Sequence, residues 1–202
     1  MTKYTDLTLE NYLIELSSDT SVPGGGSVSA YVASLALGLT QMVGRISLKR
    51  KKKKDMTPQE ETADTKRRET ISQIIEAIEK AKRDAFQIVN LDPQVYQEVM
   101  KVWGDEAKLE DALENSFRMQ AELALLAVMG KEWNKHMADH VSGSIKNDLI
   151  VSAGLVEAAF KGAYHTALIN LKYMKNQERR KRAEDALEEA KKRFDQGESY
   201  GG

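Results

Sequence analysis

The stretch Pro23-Gly24-Gly25-Gly26-Ser27 opens an uncharged part of the chain that continues to Arg45. Consecutive glycines cost backbone entropy, so they mark a tight turn or a place where the main chain closely approaches another group. Here they precede a predicted helix. The first N–H groups of a helix have no partner within it, and the helix dipole makes this end positive. The run therefore predicts either a cradle for an electron-rich ligand or a plain turn between two packed helices.

Composition favours long helices in a single domain. Charged residues make up 30% of the 202 positions, aromatic residues 6%, and there are only 3 prolines, which is typical of a helical protein large enough to bury a core. The formal net charge of −1 argues against general nucleic-acid binding. The lack of cysteine excludes disulfides and thiol chemistry and fits a reducing compartment. We predict one cytoplasmic domain over residues 1–202.

Residues 22–44 are long enough to span a membrane. They nevertheless contain Pro23, three glycines and several hydroxyl side chains, and the polar segment before them has no signal-peptide pattern. We therefore predict that this stretch is a buried helix and that the protein has no membrane partner.

Helical periodicity and capping signals recur along the chain, and no segment has the alternation of a strand. Thr57-Pro58-Gln59-Glu60 is a clear helix start, whereas Asp92-Pro93 indicates a new start or a kink. An all-α antiparallel helical bundle follows. Helices are predicted at about 7–18, 27–49, 58–89, 106–129, 147–173 and 176–196, with an irregular segment at 130–144 and a flexible tail at 197–202.

Two of these helices carry rows of small and polar residues at helical spacing. Such rows predict either walls of a shared polar pocket, if they face each other, or close helix contacts in a homodimer. The rows are Ser27, Ala30, Ser34, Gly38, Gln41 and Arg45 in the second helix, and Asp148, Ser152, Ala159, Gly162, Thr166 and Asn170 in the late helix.

Two further features have two interpretations each, and a pair of histidines is considered as metal ligands. Asp92 is either an N-cap or a general acid/base at a helix boundary. The basic run at 49–54 is either a solvated helix end or an anchor for carboxylates or phosphates. His136 and His140 are four residues apart, but no third ligand accompanies them, so we predict no metal site.

Together these motifs resemble the cyclodeaminase/cyclohydrolase family of folate enzymes, which includes formimidoyltetrahydrofolate cyclodeaminase and methenyltetrahydrofolate cyclohydrolase. The resemblance spans about Leu9 to Met174. It is carried by Pro23-Gly24-Gly25-Gly26-Ser27, Met42-Val43-Gly44 with the basic cluster behind it, Asp92-Pro93-Gln94-Val95-Tyr96, Asn147-Asp148, Gly162-Ala163-Tyr164 and Leu168-Ile169-Asn170-Leu171.

The resemblance implies an all-α homodimer that binds a tetrahydrofolate derivative as substrate, with no metal and no separate cofactor. In the cyclodeaminase reaction N10 attacks the formimidoyl carbon and ammonia leaves. In the cyclohydrolase reaction water opens the methenyl bridge. Both reactions pass through a tetrahedral carbon and need proton transfers.

Residue roles follow from the resemblance by position. Asp92 is the implied acid/base residue, and Asp148, the second implied catalytic residue, orients the pterin or the reacting carbon together with Asn170. Arg50 and Lys51 are implied to meet the anionic glutamate tail. The remaining implied substrate contacts are Gly24, Gly25, Gly26 and Ser27, which form the pocket floor, and Thr166.

The chain departs from the family pattern at two polar positions. Val141-Ser142 stands where relatives carry Gly-Asn, and Thr166 stands where they carry asparagine. A hydroxyl replaces only part of the hydrogen-bonding capacity of an amide. Two alternatives therefore stay open: a non-catalytic protein of the same fold that binds a folate or another anion, and a structural helical dimer module.

Overall fold

Six α-helices carry the fold, and the computed structural model describes residues 3–197 and 199–201. Two short 3-10 turns, Tyr4–Asp6 and Ser144–Lys146, precede the first and fifth helices, and the described residues contain no strand. The predicted all-α class is confirmed. The helices are α1 (Leu9–Leu16), α2 (Gly25–Lys49), α3 (Pro58–Lys101), α4 (Glu106–His140), α5 (Asn147–Tyr173) and α6 (Gln177–Gln196).

Side-chain caps fix the helix starts that the sequence indicates. The Thr57 hydroxyl accepts a hydrogen bond from the Glu60 N–H, and the Glu60 carboxylate accepts one from the Thr57 N–H, which forms the predicted capping box. Thr8 caps α1 by accepting from the Asn11 N–H. Asn176 caps α6 in the same way.

Helices α2 to α5 form an antiparallel bundle in which α2 packs against α3, α4 and α5. Ser27 at the start of α2 bonds to Val89 of α3, whereas Gln41 further along α2 bonds to Ile75. The opposite order of the partners shows that the two helices run antiparallel. α6 packs outside the bundle against α4 and α5. The predicted bundle is confirmed.

Small side chains bring α2 and α5 together within one chain. The Thr40 and Ser152 hydroxyls lie 2.8 Å apart, and the Ser152 hydroxyl also donates to the Ala36 carbonyl. Opposite Ser29, any side chain on Gly162 would collide with the serine hydroxyl. The small residues therefore act in close packing inside the bundle.

Of the two alternatives for the small-residue rows, the shared polar pocket between facing rows is not formed. Ser27 and Gln41 of the α2 row bond to α3. α5 instead meets a neighbouring face of α2, which presents Ser29, Ala36 and Thr40. The α2 row is rotated around the helix axis away from α5, because α3 and α5 pack against different sides of α2.

The predicted end of the third helix at Val89 is also wrong, because α3 runs through Asp92-Pro93 to Lys101. Proline lacks an N–H, so within a helix it leaves the carbonyl four residues earlier without its donor. That carbonyl belongs to Val89, and the Ser27 hydroxyl donates to it at 2.9 Å. α2 thus supplies the missing bond, and Asp92 lies inside a helix instead of capping one.

Helix α4 likewise continues through the segment predicted to be irregular and ends at His140. Gly130 does not break it. A Cβ at this position would press against Leu37 of α2 and contact Val156 of α5. Gly130 is therefore a packing position, where α2 and α5 approach the α4 backbone.

The tail after α6 is described only in part. Tyr200 packs against core residues, and the Lys146 ammonium lies 5.1 Å from the centre of its ring. Glu198 and Gly202 lie outside the described residues, and a flexible tail at 197–202 stays a prediction.

Replacing Ser27 with alanine tests the bond that allows Pro93 in α3. We expect Ser27→Ala to lower the free energy of unfolding by about 1–3 kcal/mol, because the Val89 carbonyl loses its donor in a buried position. Urea unfolding followed by circular dichroism measures the change.

A matched control is Thr65→Ala, which removes an exposed hydroxyl bonded to the Glu61 carbonyl within α3. That carbonyl keeps its helical partner, so we expect little change. In a Pro93→Ala background residue 93 supplies its own N–H, so Ser27→Ala should cost less there. An equal cost in both backgrounds would contradict this account.

Candidate functional site

Asp92 lies where α3 passes the start of α2, and both of its carboxylate oxygens are bonded. Oδ2 accepts from the Ser27 N–H at 2.9 Å, and Oδ1 accepts from Nε2 of Gln120 on α4 at 2.8 Å. The carboxyl group is half-buried. Three helices thus fix its orientation, while each oxygen retains a lone pair for a further contact.

Gly26 is the position in the glycine run that the site requires. Any side chain there would collide with Asp92 Oδ1 and Gln120 Nε2. None of the three glycines has a positive φ. The run therefore serves close approach of a carboxylate to the backbone. Gly25, by contrast, has open space around the position of a Cβ.

Burial sets the protonation behaviour of Asp92. It raises the pKa of this carboxyl group above its ordinary value, and the hydrogen bonds from Ser27 and Gln120 offset part of the effect. A group with a raised pKa holds its proton to a higher pH than an exposed aspartate does. Asp92 therefore keeps its proton at a higher pH than an exposed aspartate, which suits a group that both donates and accepts protons.

Gln120 is a site residue that the sequence analysis missed. Its side chain is fully buried, and its Oε1 has no hydrogen-bond partner within the described residues. The available signal was a polar pair four residues apart, Ser116 and Gln120, among the apolar residues of α4. Buried polar groups of this kind usually serve a specific contact.

Thr166 and Asn170 lie towards the same end of the bundle as Asp92. Gly162 packs on Ser29, so the next turns of α5 continue past the start of α2. The Thr166 hydroxyl donates to the Gly162 carbonyl, and the Asn170 amide donates to the Thr166 carbonyl. We name this the glycine end, defined by Gly24–Ser27, Asp92, Thr166 and Asn170.

The other predicted site residues lie at the opposite end of the bundle. Arg50 follows α2 and donates to the Ser142 carbonyl at 2.6 Å, and Lys51 comes next in the chain. Asp148 is half-buried in the first turn of α5, where a carboxylate is favoured by the helix dipole. We name this the basic end, defined by Arg50, Lys51 and Asp148.

A cavity of about 430 Å³ opens at the basic end, lined by Arg50, Lys51 and the carboxyl end of α4. Arg68 donates to the Leu48 and Arg50 carbonyls, and Arg67 donates to the His140 carbonyl. These guanidinium groups therefore cap two helices. Both guanidinium groups pair with Asp64, and Lys52 and Lys53 line the same cavity beside Arg50 and Lys51.

One chain does not bring the two ends together. α2 connects them, and at about 1.5 Å per residue its length places Ser27 and Arg50 roughly 35 Å apart. Asp148 lies near the level of Gly44, because Ser152 bonds to Thr40 one turn away. The structure thus separates the two predicted catalytic carboxylates, Asp92 and Asp148.

The chain matches a known family along most of its length. A family model described as formiminotransferase-cyclodeaminase covers residues 8–189. The chain belongs to the formiminotransferase-cyclodeaminase family. The predicted family resemblance is confirmed.

Curated relatives of the family are longer than this chain. The chain is 29% identical to formimidoyltransferase-cyclodeaminase of Gallus gallus over 163 residues, which cover 75% of this chain and 28% of the relative. Identity to the Mus musculus protein is 28% over 180 residues, 84% of this chain and 31% of that one. The chain thus spans about a third of the length of these relatives.

A solved structure of a family relative has the same fold. Formiminotetrahydrofolate cyclodeaminase of Thermotoga maritima superposes with a TM-score of 0.85 at 23% identity, over 96% of this chain and 92% of that one. At 23% identity the superposition shows that this chain shares the fold of that protein.

The sequence predicts neither a metal site nor a membrane partner. Within the described residues no group of three or more His, Asp or Glu side chains is placed to hold a metal ion. Over the same residues α2 is the single helix long and apolar enough to cross a membrane, and 61% of its apolar window is buried in the bundle. The absence of a membrane partner stays a prediction.

Alanine substitutions in the glycine run separate close approach from turn formation. We expect Gly26→Ala to displace the Asp92 carboxylate and to destabilise the fold by about 1–3 kcal/mol through overpacking. Gly25→Ala is the matched control, because its Cβ meets nothing and alanine favours the helix. Thermal unfolding of both variants measures the difference, and equal stabilities would contradict the role of Gly26.

The raised pKa of Asp92 predicts a pH dependence with a definite sign. The native state keeps this proton to a higher pH than the unfolded chain does, so the contribution of Asp92 to stability is present at low pH. It is lost as pH rises through the folded pKa. Carboxyl carbon NMR should show Asp92 titrating above the usual aspartate range.

Asp139 is the internal control in the same spectrum, because a hydrogen bond from Lys135 lowers its pKa. Gln120→Met removes a donor to the Asp92 carboxylate at similar size, so it should raise the Asp92 pKa further. A fall in that pKa would show that the Gln120 amide does not stabilise the charged carboxylate.

Proposed function

We propose that the protein is a folate one-carbon enzyme that acts as a formimidoyltetrahydrofolate cyclodeaminase. The proposal rests on the environment of Asp92. This half-buried carboxyl group has a raised pKa, and hydrogen bonds from Ser27 and Gln120 fix it beside the start of α2. Family membership supports the substrate class. Hydrolysis of methenyltetrahydrofolate by the same carboxyl group is the alternative reaction.

The proposed reaction needs one proton to move between two nitrogens. The formimidoyl group on N5 enters protonated, as an amidinium. N10 attacks its carbon, the electron pair of the C=N bond moves to the nitrogen, which becomes an amino group, and a tetrahedral carbon forms. Asp92 takes the proton from N10 and delivers it to the amino nitrogen, which leaves as ammonia. The methenyl bridge then joins N5 and N10. A carboxyl group with a raised pKa can serve in both directions of this transfer, because its protonated form is more accessible than that of an exposed aspartate.

The glycine end offers a floor for the ring system of the substrate. The first N–H groups of α2 point out of the helix, and the dipole makes this end positive. We propose that Gly24, Gly25 and Gly26 contact electron-rich atoms of the pterin. Thr166 and Asn170 on α5 are the proposed polar wall. Asp148 lies at the basic end, so its proposed orienting role requires a homodimer that brings the two ends together.

The basic end offers an anchor for the glutamate tail. The Ser142 carbonyl holds the Arg50 guanidinium, so little side-chain freedom is lost when Arg50 binds a carboxylate. Lys51 is exposed beside it. We propose that these two cations bind glutamate carboxylates, and that the protein acts as a cytoplasmic homodimer in which the basic end of one chain meets the glycine end of the other.

Asp92→Asn tests the proposed proton transfer. We expect a loss of turnover of roughly 10²–10⁴-fold, the usual contribution of a general acid/base. Asp19→Asn is the matched control, an exposed aspartate in the turn between α1 and α2. Formation of the methenyl product and release of ammonia are measured with formimidoyltetrahydrofolate, and circular dichroism checks that both variants fold.

Three outcomes decide between the functions. Turnover of methenyltetrahydrofolate alone would select the hydrolase, and folate binding by calorimetry without any turnover would select a non-catalytic binding protein. Neither turnover nor binding, in a stable dimer, would select a structural module.

A further inference from the structure

Gln120 is a buried amide that uses only one of its two polar atoms. Its Nε2 donates to Asp92 Oδ1 at 2.8 Å, whereas its Oε1 has no hydrogen-bond partner among the described residues. The side chain is 0% exposed. A buried acceptor without a donor is costly, and an apolar side chain of similar size would avoid that cost. The reason for an amide here therefore lies in its contact with Asp92.

The two oxygens of Asp92 face different kinds of partner. Oδ2 accepts from the backbone N–H of Ser27 at 2.9 Å, and a backbone N–H can only donate. Oδ2 must therefore remain an acceptor in both protonation states of the carboxyl group. In the neutral acid the hydroxyl oxygen is then Oδ1, which faces an amide that can both donate and accept.

We propose that Gln120 is a positioning residue whose amide turns with the protonation state of Asp92. It donates through Nε2 to the carboxylate and accepts through Oε1 from the carboxylic acid. When Oδ1 gains a proton, a half-turn about the Cγ–Cδ bond of Gln120 exchanges the two amide atoms. The proton comes from the group that Asp92 deprotonates and leaves to the group that it protonates. Gln120 keeps its own two amide hydrogens throughout.

The surroundings of Gln120 permit the turn. In the part of the chain that the structure describes, this amide makes its hydrogen bond to Asp92 alone. The terminal torsion of a glutamine side chain is broad and roughly two-fold, and the two amide atoms are similar in size. Gly26 lies against both Nε2 of Gln120 and Oδ1 of Asp92, so its lack of a side chain leaves room for the exchange.

Gln41 shows the opposite arrangement in the same bundle. This second buried glutamine donates through Nε2 to the Ile75 carbonyl and to the Glu79 carboxylate, and its Oε1 accepts from Lys82 Nζ at 2.8 Å. Because partners hold both amide atoms, a half-turn would break every one of these bonds. The orientation of Gln41 is therefore fixed, whereas that of Gln120 follows Asp92.

Asp92 is the group of this cluster that changes its charge. The helices that contact it are α2 and α4, which face it with the uncharged groups of Ser27 and Gln120. From α1, the Tyr12 hydroxyl lies 3.4 Å from the Ser27 hydroxyl. Burial, with a smaller contribution from the charge of Asp92, raises the pKa of Tyr12. Tyr12 therefore stays neutral over the range in which a carboxyl group titrates.

The turn keeps the acid/base group in one orientation during a reaction. A carboxyl group held only by donors would lose a partner each time it became the neutral acid, because its hydroxyl then needs an acceptor. With Gln120 turning, Oδ1 and Oδ2 are bonded in both states. This consequence rests on the proposed function, in which Asp92 takes a proton from one nitrogen and gives it to another.

NMR of the wild-type protein tests the turn without any activity. In the carboxylate state Nε2 lies against Gly26, so the Gln120 amide hydrogens should give a strong nuclear Overhauser effect to the Gly26 Hα atoms. On protonation Oε1 takes that place, and the effect should fall several-fold. Its pH midpoint should equal that of the Asp92 carboxyl carbon.

Two controls accompany this measurement. The Gln41 amide is bonded at both ends, so its contact with Ile75 should not change over the same pH range. In Asp92→Asn residue 92 does not titrate, so the contact between Gln120 and Gly26 should be independent of pH. A Gln120 contact that persists while the Asp92 carboxyl carbon titrates would overturn the proposal.

The pH profile of turnover tests the effect of Gln120 on the reaction. Gln120→Met removes a bond from each state, and the bond to the charged carboxylate is the stronger one. The limb of the kcat/KM profile that Asp92 sets should therefore move to higher pH by about 1. Gln41→Met is the matched control, because it also replaces a buried glutamine and should lower stability without moving that limb.

An unmoved limb in Gln120→Met, or an equal movement in Gln41→Met, would contradict a positioning role. If the wild-type protein turned over neither folate, the proposed function would fail. The nuclear Overhauser effect between Gln120 and Gly26 would still decide whether the amide turns.

Discussion

Two of the hydrogen bonds of Ser27 hold the fold and the candidate site together. Its N–H binds the Asp92 carboxylate, and its hydroxyl binds the Val89 carbonyl that Pro93 leaves without a donor. One residue therefore secures the start of α2, the continuity of α3 and the orientation of the acid. Burial makes each bond costly to lose, because an unpaired polar group in the interior has no water to replace its partner.

Local sequence signals predicted the bounds of a helix correctly where interactions between near neighbours in the chain determine them. The capping box at Thr57 and the span of α5 follow from short-range chemistry that the sequence displays. The ends of the third and fourth predicted helices were wrong for a common reason. Pro93 and Gly130 break isolated helices, but Ser27 and Leu37 of α2 accommodate them here, and that help comes from residues distant in sequence.

The candidate site was predicted as a set of residues but not as an arrangement. The glycine run, Asp92 and Asn170 do lie at one end of the bundle, and Gly26 owes its identity to contact with Asp92. Arg50, Lys51 and Asp148 lie at the other end. Helical periodicity gives the face of a residue but not which neighbour packs on that face, so the separation could not be derived from spacing. Gln120 was missed because a lone amide in a helix gives little signal before its burial is known.

Burial of α2 between helices that come later in the chain has a consequence for biosynthesis. Thr40 meets Ser152 across 112 residues of sequence, so the apolar helix leaves the ribosome long before α5 can cover it. During that interval the nascent chain exposes a segment with the hydropathy of a membrane span. Exposed apolar surface of this kind promotes aggregation. The strongly charged α3, which is synthesised next and packs along α2, is the first element able to shield it.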